Sequence, residues 1–277
     1  MDDAPEEPLQ PGELGPILLQ VERERGLDLS RYRASYIERR LATRLRALGF
    51  RTYREYSRHL DAHPEEFTRL IDALTINVTE FFRDPPVYRV FREEVVPQLL
   101  ATKTASHQRV IRAWSAGAAT GEEAYSIAMS FLAALGKRAP AFVLSVIGTD
   151  LDPKALETAS RGEYDIAKLQ HIPEDDRARF LDVGTTTFCI RPEVKEHVKF
   201  RRLDLIGGAP LQVLDIIFCR NVFIYFTREQ QESMVATFQR SLARGGYLVL
   251  GRTEKMPTDL TAGFEAVSGR ERIYRKI

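Results

Sequence analysis

Glu122 and Glu123 directly follow two closely spaced glycines in Val110-Ile-Arg-Ala-Trp-Ser-Ala-Gly-Ala-Ala-Thr-Gly-Glu-Glu-Ala-Tyr-Ser-Ile-Ala-Met129. Gly117 and Gly121 let the backbone bend sharply and approach a ligand with no Cβ in the way. A phosphate-binding turn wants free N–H groups and a Lys or Arg nearby. This turn supplies carboxylates instead. Carboxylates suit hydroxyls, an ammonium or a sulfonium, so the turn reads as a site for S-adenosylmethionine (SAM) before a nucleotide phosphate. Thr120 is the expected N-cap of the helix that follows.

Other polar residues stand where they can join that turn. Asp150 ends the strand-like run in Ile147-Gly-Thr-Asp-Leu-Asp-Pro153. An acid there can accept hydrogen bonds from both hydroxyls of a ribose. Asp152 suits a helix N-cap, because Pro is favoured at the first helical position. Asn77-Val-Thr-Glu-Phe-Phe-Arg-Asp84 places an amide, a hydroxyl and a guanidinium (Asn77, Thr79, Arg83) in a short irregular segment. Arg83 can hold a carboxylate in bidentate fashion; a solvated loop is the other reading. Asp215-Ile-Ile-Phe-Cys-Arg-Asn-Val-Phe-Ile-Tyr-Phe226 is an apolar strand ending in Arg220-Asn221, with Tyr225 close behind. A buried tyrosine ordinarily just finds a hydrogen-bond partner, but at a strand end over a cofactor it lines the reaction site. Arg33, Arg40 and Arg44 follow one flank of a helix over 33–46, where Glu38 is the one acid. Such a face is ordinarily solvated, yet a face of one sign attracts an acidic partner.

The elements that must position these groups differ between the two parts of the chain. From about Pro16 to Leu100 the pattern is helical. Ile37, Leu41, Leu45 and Leu48 form one apolar stripe, closed by Gly49 as C-cap. Further helices fit 52–63 and 64–74, and Pro85-Pro86 opens another through about Leu100. After residue 108 strand-like runs appear at 110–115, 142–149, 198–203, 215–219, 247–251 and 272–276. Helical segments lie between them at 122–135, 153–160 and 228–243. This alternation predicts an α/β domain with a mostly parallel sheet covered on both faces. Ligands of such sheets sit beyond the carboxyl ends of the strands, where Gly117–Gly121, Asp150 and Arg220-Asn221 all fall. Residues 164–199 break the alternation, and Gly184–Ile190 reads as a hairpin in a small insertion. The expected organisation is a disordered tail at 1–12, a helical domain at 13–102 and an α/β domain at 103–277, with the insertion at about 170–200.

Bulk composition narrows the class. Apolar residues make up 44% and charged residues 29% of 277, and net charge is +1. That balance excludes a global basic field for nucleic acid. No uncharged apolar run approaches the roughly 20 residues of a membrane helix. The acidic, proline-rich start is no signal peptide, which makes the cytoplasm the expected compartment. Cys189 and Cys219 have no Cys/His cluster around them, so neither a disulfide framework nor a metal site is expected.

Together these segments closely resemble the CheR family, SAM-dependent methyltransferases that esterify glutamates of bacterial chemoreceptors. The matching pieces are Asn77–Asp84, Ala113–Met129, Thr149–Asp152, Ile217–Phe226 and the basic helix Tyr36-Ile-Glu-Arg-Arg-Leu-Ala-Thr-Arg-Leu45. Their order and spacing agree over nearly the whole chain from about residue 14. The resemblance implies a helical N-terminal domain, a class I (Rossmann-like) methyltransferase domain and a small inserted β-subdomain. It places cofactor contacts on Asn77, Thr79, Arg83, Asp150, Asp204, Leu205, Arg220 and Asn221, with Glu123 favoured from the Glu122-Glu123 pair. It places Arg83 and Tyr225 near the transferred methyl. The chain departs from common relatives at Ala118 (often cysteine), Ala124 (often proline) and Asp204 (often asparagine), none of which removes a group the chemistry requires.

The expected reaction is methyl transfer from SAM to a glutamate carboxylate of a methyl-accepting chemoreceptor cytoplasmic domain. The products are the methyl ester and S-adenosylhomocysteine (SAH), and no metal takes part. Arg33, Arg40 and Arg44 are the expected docking face for the acidic receptor helix. A SAM- or SAH-binding regulatory protein without turnover, or methylation of a different protein, are the rival readings. A monomer is expected. Some relatives hold a receptor C-terminal pentapeptide by strand addition to the insertion. Here Leu181–Pro192 is compact, with Gly184 as its one glycine and a proline that removes a backbone donor, so no tether is expected.

Overall fold

Ile37, Leu41 and Leu45 each recur within one or two turns, and all three are buried. They lie on α2 (Ala34–Leu48), which packs with α1 (Leu14–Arg25), α3 (Tyr53–Ala62) and α4 (Glu66–Leu74) around one apolar core. Gly49 ends α2 at φ +77, the left-handed conformation that glycine adopts without strain. Thr52 and Glu55 form a reciprocal capping box at the start of α3. The computed structural model describes residues 14–74 and 77–277. The expected tail at 1–12 lies outside the described residues.

Arg44 binds inside this helical unit. Its Nε and Nη2 donate to the two Glu66 carboxylate oxygens at 2.5 and 2.7 Å, and Tyr56 Oη donates to Glu66 at 3.1 Å. Glu66 is 1% exposed. Burial raises its carboxyl, but the Arg44 and Tyr56 bonds outweigh burial and leave it below its ordinary value of 4.5. A lowered folded value means this contribution is complete above the ordinary value and is lost as pH falls through the folded one. Arg44→Ala should cost about 2–3 kcal/mol, less than a fully stripped buried pair because Tyr56 still donates. Thermal melts from neutral pH downward check this: a lower Tm at neutral pH and a weaker acid-side loss are expected. An unchanged Tm would make the pair a surface ornament.

The described chain forms two compact units: residues 14–74 with 225–227, and residues 77–224 with 228–277. Among the described residues the division falls between 74 and 77, not at the expected 102/103. The physical reason is packing. Phe81, Phe82, Tyr88, Phe91, Val95 and Leu99 belong to the core beneath the sheet. Phe81 and Phe82 lie in the turn before α5 (Pro85–Val90), and the others ride on α5, a π-turn (Phe91–Val95) and α6 (Val96–Ala105), which continue as one helical run past the expected Leu100. Pro97 removes a donor and crowds the preceding turn, and Val96 N–H bonds back to Phe91 O, the i→i−5 bond that widens the helix there.

The second unit is doubly wound. Its seven strands are β1 (Val110–Ala116), β2 (Val143–Asp150), β6 (Val198–Arg202), β7 (Leu214–Cys219), β8 (Leu242–Leu250), β9 (Phe264–Ser268) and β10 (Ile273–Lys276). Their spatial order is β6-β2-β1-β7-β8-β10-β9. The first five run parallel; β10 and β9 close the edge antiparallel. The expected mostly parallel sheet is therefore present. Two details differ. β8 starts at Leu242 because Leu242 pairs with Leu214. β9 was not legible, since this edge strand buries Phe264 alone. α7 (Glu122–Leu135), α8 (Pro153–Arg161), α10 (Pro192–Lys195) and α11 (Arg228–Ser241) complete the alternation. The insertion is a three-stranded sheet of β3 (Glu163–Asp165), β4 (Leu181–Val183) and β5 (Thr187–Ile190), in the order β3-β5-β4, with α9 (Glu174–Phe180) between β3 and β4 in sequence. The expected hairpin at 184–190 is the β4–β5 pair.

Candidate functional site

β1 has β2 on one side and β7 on the other, with Ala116 opposite Thr149 and Ser115 opposite Phe218. The chain leaves β1 in opposite directions across the sheet, which creates a crevice at the carboxyl ends. Residues 117–121 form the turn there. Gly117 has φ +81, and a Cβ on it would lie 2.6 Å from Val222 Cγ2. Gly121 has φ +95, and its Cβ would lie 2.7 Å from Ala159 Cβ. Both positions need glycine for conformation and for space. Gly121, not Thr120, is the N-cap of α7. The Thr120 hydroxyl instead donates to the Glu122 carboxylate at 2.7 Å, which satisfies a buried acid more strongly than a cap bond would.

The amides of this turn are already committed. Gly117 and Ala118 N–H donate to Thr149 O, at 2.9 and 2.8 Å, and Gly121 N–H to Ala118 O at 2.9 Å. Ala119 N–H donates to Asp150 Oδ2 at 2.8 Å. Few of these donors remain free for a phosphate, and the carboxylates of Asp150 and Glu123 stand beside the turn. This agrees with the preference for a ligand rich in donors and positive charge.

Asp150 joins the turn to the residues after β2, accepting also from Asp152 N–H at 3.0 Å. Burial raises its carboxyl above the ordinary value, although these backbone bonds oppose the shift. Asp152 caps α8 as expected, accepting from Lys154 and Ala155 N–H. Its other oxygen accepts from Asn77 Nδ2 at 2.6 Å, which ties the 77–84 segment to the crevice. Thr79 is half-buried in that segment. Arg83 donates to Val78 O at 2.8 Å and helps hold down the Glu123 carboxyl. Phe82 and Asp84 have φ +50 and +56, unusual for such residues. Phe82 N–H on Ser126 Oγ (3.0 Å) and Asp84 on Arg220 (2.5 Å) hold that backbone in place.

The two turn acids diverge. Glu122 is fully buried and pairs with Lys168 of the insertion. Glu123 accepts from Ser115 Oγ at 2.7 Å and lies 3.7 Å from Arg220 Nη1, toward the β1 and β7 ends. Burial raises the Glu123 carboxyl, and Arg220 and Ser115 partly offset it. Arg220 is buried between Asp84 and Glu123, so its side chain serves the scaffold. Asn221 has φ +60, and its Oδ1 is buried with no partner among the described residues. An orphaned acceptor facing no protein donor fits a ligand amine. Asp204 and Leu205 follow β6, where Leu203 N–H bonds to Asp150 O at 3.1 Å. Asp204 Oδ1 accepts from Ile206 N–H at 2.9 Å. The ends of four adjacent strands, β6, β2, β1 and β7, thus carry the expected cofactor residues other than Glu123, in the first turn of α7, and those on 77–83.

One contributor was missed. Glu254 is 3% exposed, and its carboxylate accepts from the N–H groups of Gly251 (2.7 Å), Phe223 (2.8 Å) and Asn221 (3.1 Å). It shapes the backbone that carries Asn221. Nothing local in Gly251-Arg-Thr-Glu254 distinguishes it from a solvated loop acid.

Tyr225 groups with the helical unit. Its ring centroid is 4.9 Å from that of Tyr36, and its carbonyl accepts from Arg33 N–H at 2.9 Å. Arg33 also donates through Nε to Phe226 O at 2.9 Å. The Arg40 guanidinium lies 5.8 Å from the Tyr36 ring centroid. Arg44 does not belong to an open basic flank. Glu66, 22 residues away in α4, neutralises it, so Arg44 drops out of the expected three-residue face.

Among the described residues no helix is long and apolar enough to cross a membrane. Residues 13–75 match the family described as CheR methyltransferase, all-alpha domain, and residues 77–273 match the CheR methyltransferase SAM binding domain. A chemotaxis protein methyltransferase of Listeria innocua is 34% identical, covering 85% of this chain and 87% of its own length. Chemotaxis protein methyltransferase 2 of Pseudomonas aeruginosa is 33% identical over 83% of this chain and 81% of its own. A chemotaxis protein methyltransferase of Vibrio parahaemolyticus is 37% identical over 75% and 74%. With both domains matched in order, and the carboxylate-lined crevice inside the second, the chain belongs to the CheR family of SAM-binding chemotaxis protein methyltransferases.

Proposed function

We propose that this enzyme transfers the SAM methyl group to glutamate side chains in the cytoplasmic domain of bacterial chemoreceptors, leaving glutamate methyl ester and SAH. The observation that carries this reading is the pairing of a donor-poor, carboxylate-lined crevice with the Arg83 guanidinium, which has no carboxylate in its hydrogen bonds among the described residues and donates to Val78 O. Asp150 suits the ribose hydroxyls, Asn221 Oδ1 an amine, and Glu123 a positively charged group; Asn77, Thr79, Gly117, Asp204, Leu205 and Arg220 complete the lining. When bound, SAM supplies an electrophilic methyl on a positively charged sulfur. The acceptor glutamate is already ionised at neutral pH, since its ordinary pKa is about 4.3. No general base and no metal are needed. Arg83 and Tyr225 orient the acceptor carboxylate and help exclude water, and catalysis is mainly positioning.

Arg33 and Arg40 suit docking of the acidic receptor helix, with the enzyme acting as a cytoplasmic monomer. No pentapeptide tether is required, since β4, an edge of the small sheet, spans three residues. The deciding experiment incubates the protein with tritiated SAM and receptor cytoplasmic domains and scores base-labile methyl ester. Label that resists base, or SAH binding without label, would remove the glutamate reading. The rate should fall with added salt and in Arg33→Ala/Arg40→Ala, because such pairing is screened. Tight binding of a receptor pentapeptide by calorimetry would reverse the view of the insertion.

A further inference from the structure

The amino ends of the parallel strands form a second cleft in the sheet unit, of about 550 Å³. Lys103, Arg109, Arg112, Arg244 and Arg275 line it, with Asp215 the one acid among the lining residues. That acid is already satisfied. Lys103 Nζ lies 2.6 Å from its Oδ1, and Arg112 N–H donates to its Oδ2 at 2.9 Å. The four guanidiniums keep no carboxylate partner among the described residues. Arg109 donates to Gln108 O and covers the Phe142 ring. Arg112 and Arg244 are exposed. Arg275 Nε is buried with no partner; Glu265 stands opposite on β9 but makes no ion pair with it. In a chain of net charge +1, this is a local concentration of charge, not the overflow of a basic protein.

Two backbone features belong to the same cleft. Val213 has φ +58 although it is β-branched and 62% exposed. Little packing holds it there, and such strain gathers at binding sites. Gly245 has φ +76, a left-handed conformation that glycine adopts without strain, directly beside Arg275.

We propose that this cleft binds a small phosphorylated ligand of nucleotide size. Guanidiniums match phosphate oxygens with paired, charge-assisted hydrogen bonds. Leu99, Val110 and Tyr247 give the cleft an apolar part for the rest of the molecule. Its volume lies within the roughly 300–1,000 Å³ of small-ligand sites. A concave set of cations around one cleft suits a compact anion better than an extended polyanion.

The test titrates the full-length protein, saturated with SAH, with guanosine diphosphate and with inorganic pyrophosphate at low salt. Saturable heat is expected for the diphosphate. In Arg112→Ala/Arg244→Ala that affinity should fall about tenfold or more, with partial rescue by the double Lys variant. Both residues are exposed and unpaired, so SAH affinity should be unchanged, which also reports an intact fold. The absence of saturable heat with either probe, or equal affinity in the double variant, overturns the proposal. Binding to phosphatidylglycerol vesicles without binding of the free diphosphate also overturns it, because the source would then be a membrane.

Discussion

Asp150→Ala weakens SAH binding by about 1.5–3 kcal/mol, roughly ten- to a hundredfold or more, if the carboxylate holds the ribose through charge-assisted hydrogen bonds. The site explains why the loss is large. Asp150 also accepts from Ala119 and Asp152 N–H, so its removal leaves the Gly-rich turn with an unpaired donor. Asp150→Asn separates the two effects, since it keeps one acceptor oxygen and most of the shape. The same carboxyl sets a pH dependence. Burial raises it above the ordinary 3.8, and ribose hydroxyls donate best to the ionised form. Affinity should therefore fall as pH drops, beginning above the range of an ordinary aspartate, and Asp150→Asn should lose that dependence. Calorimetry of SAH binding across pH decides this, and unchanged affinity in Asp150→Ala would remove the residue from the site.

Arg83→Ala should lower kcat/KM by about a hundredfold, because misplacing the acceptor by an ångström costs that much. It should also weaken SAH binding, since Arg83 holds Val78 O and offsets the charge of Glu123. Arg83→Lys keeps the charge but not the planar fork, and it should recover cofactor affinity more than turnover. Tyr225→Phe should behave differently. An interaction made chiefly in the transition state lowers kcat and leaves binding alone, so about a tenfold loss of kcat with unchanged SAH affinity is expected from one hydroxyl. Full turnover by Tyr225→Phe would make that hydroxyl structural, and unaltered kinetics in Arg83→Ala would end the acceptor-orienting role of the guanidinium.

Much of the architecture was legible because it is encoded within a few residues. The apolar stripe of α2, the Gly49 cap, the Asp152-Pro153 start of α8 and the glycine turn after β1 each depend on neighbours along the chain. The alternation of strands and helices implied the parallel sheet, and parallel connection brought Gly117, Asp150 and Asn221 to one edge. Local rules failed where a distant residue competes. Thr120 bonds the Glu122 carboxylate instead of capping α7, because a buried acid needs satisfying. The boundary moved to between 74 and 77 because Phe81 and Tyr88 fill the sheet core.

From the sequence alone come the element types, the open crevice at the strand ends and the chemical character of its lining. The tertiary structure alone decided which charges are spent internally. Arg44 meets Glu66 across 22 residues, Arg220 meets Asp84 across 136, and Glu254 meets Asn221 across 33. It also gathered four guanidiniums from the α6–β1 connection, β1, β8 and β10 around one cleft while leaving them without a carboxylate partner among the described residues. The reason is physical: helix and turn preferences act over a few residues, whereas burial and ion pairing depend on which distant segments the closed core brings within a few ångströms.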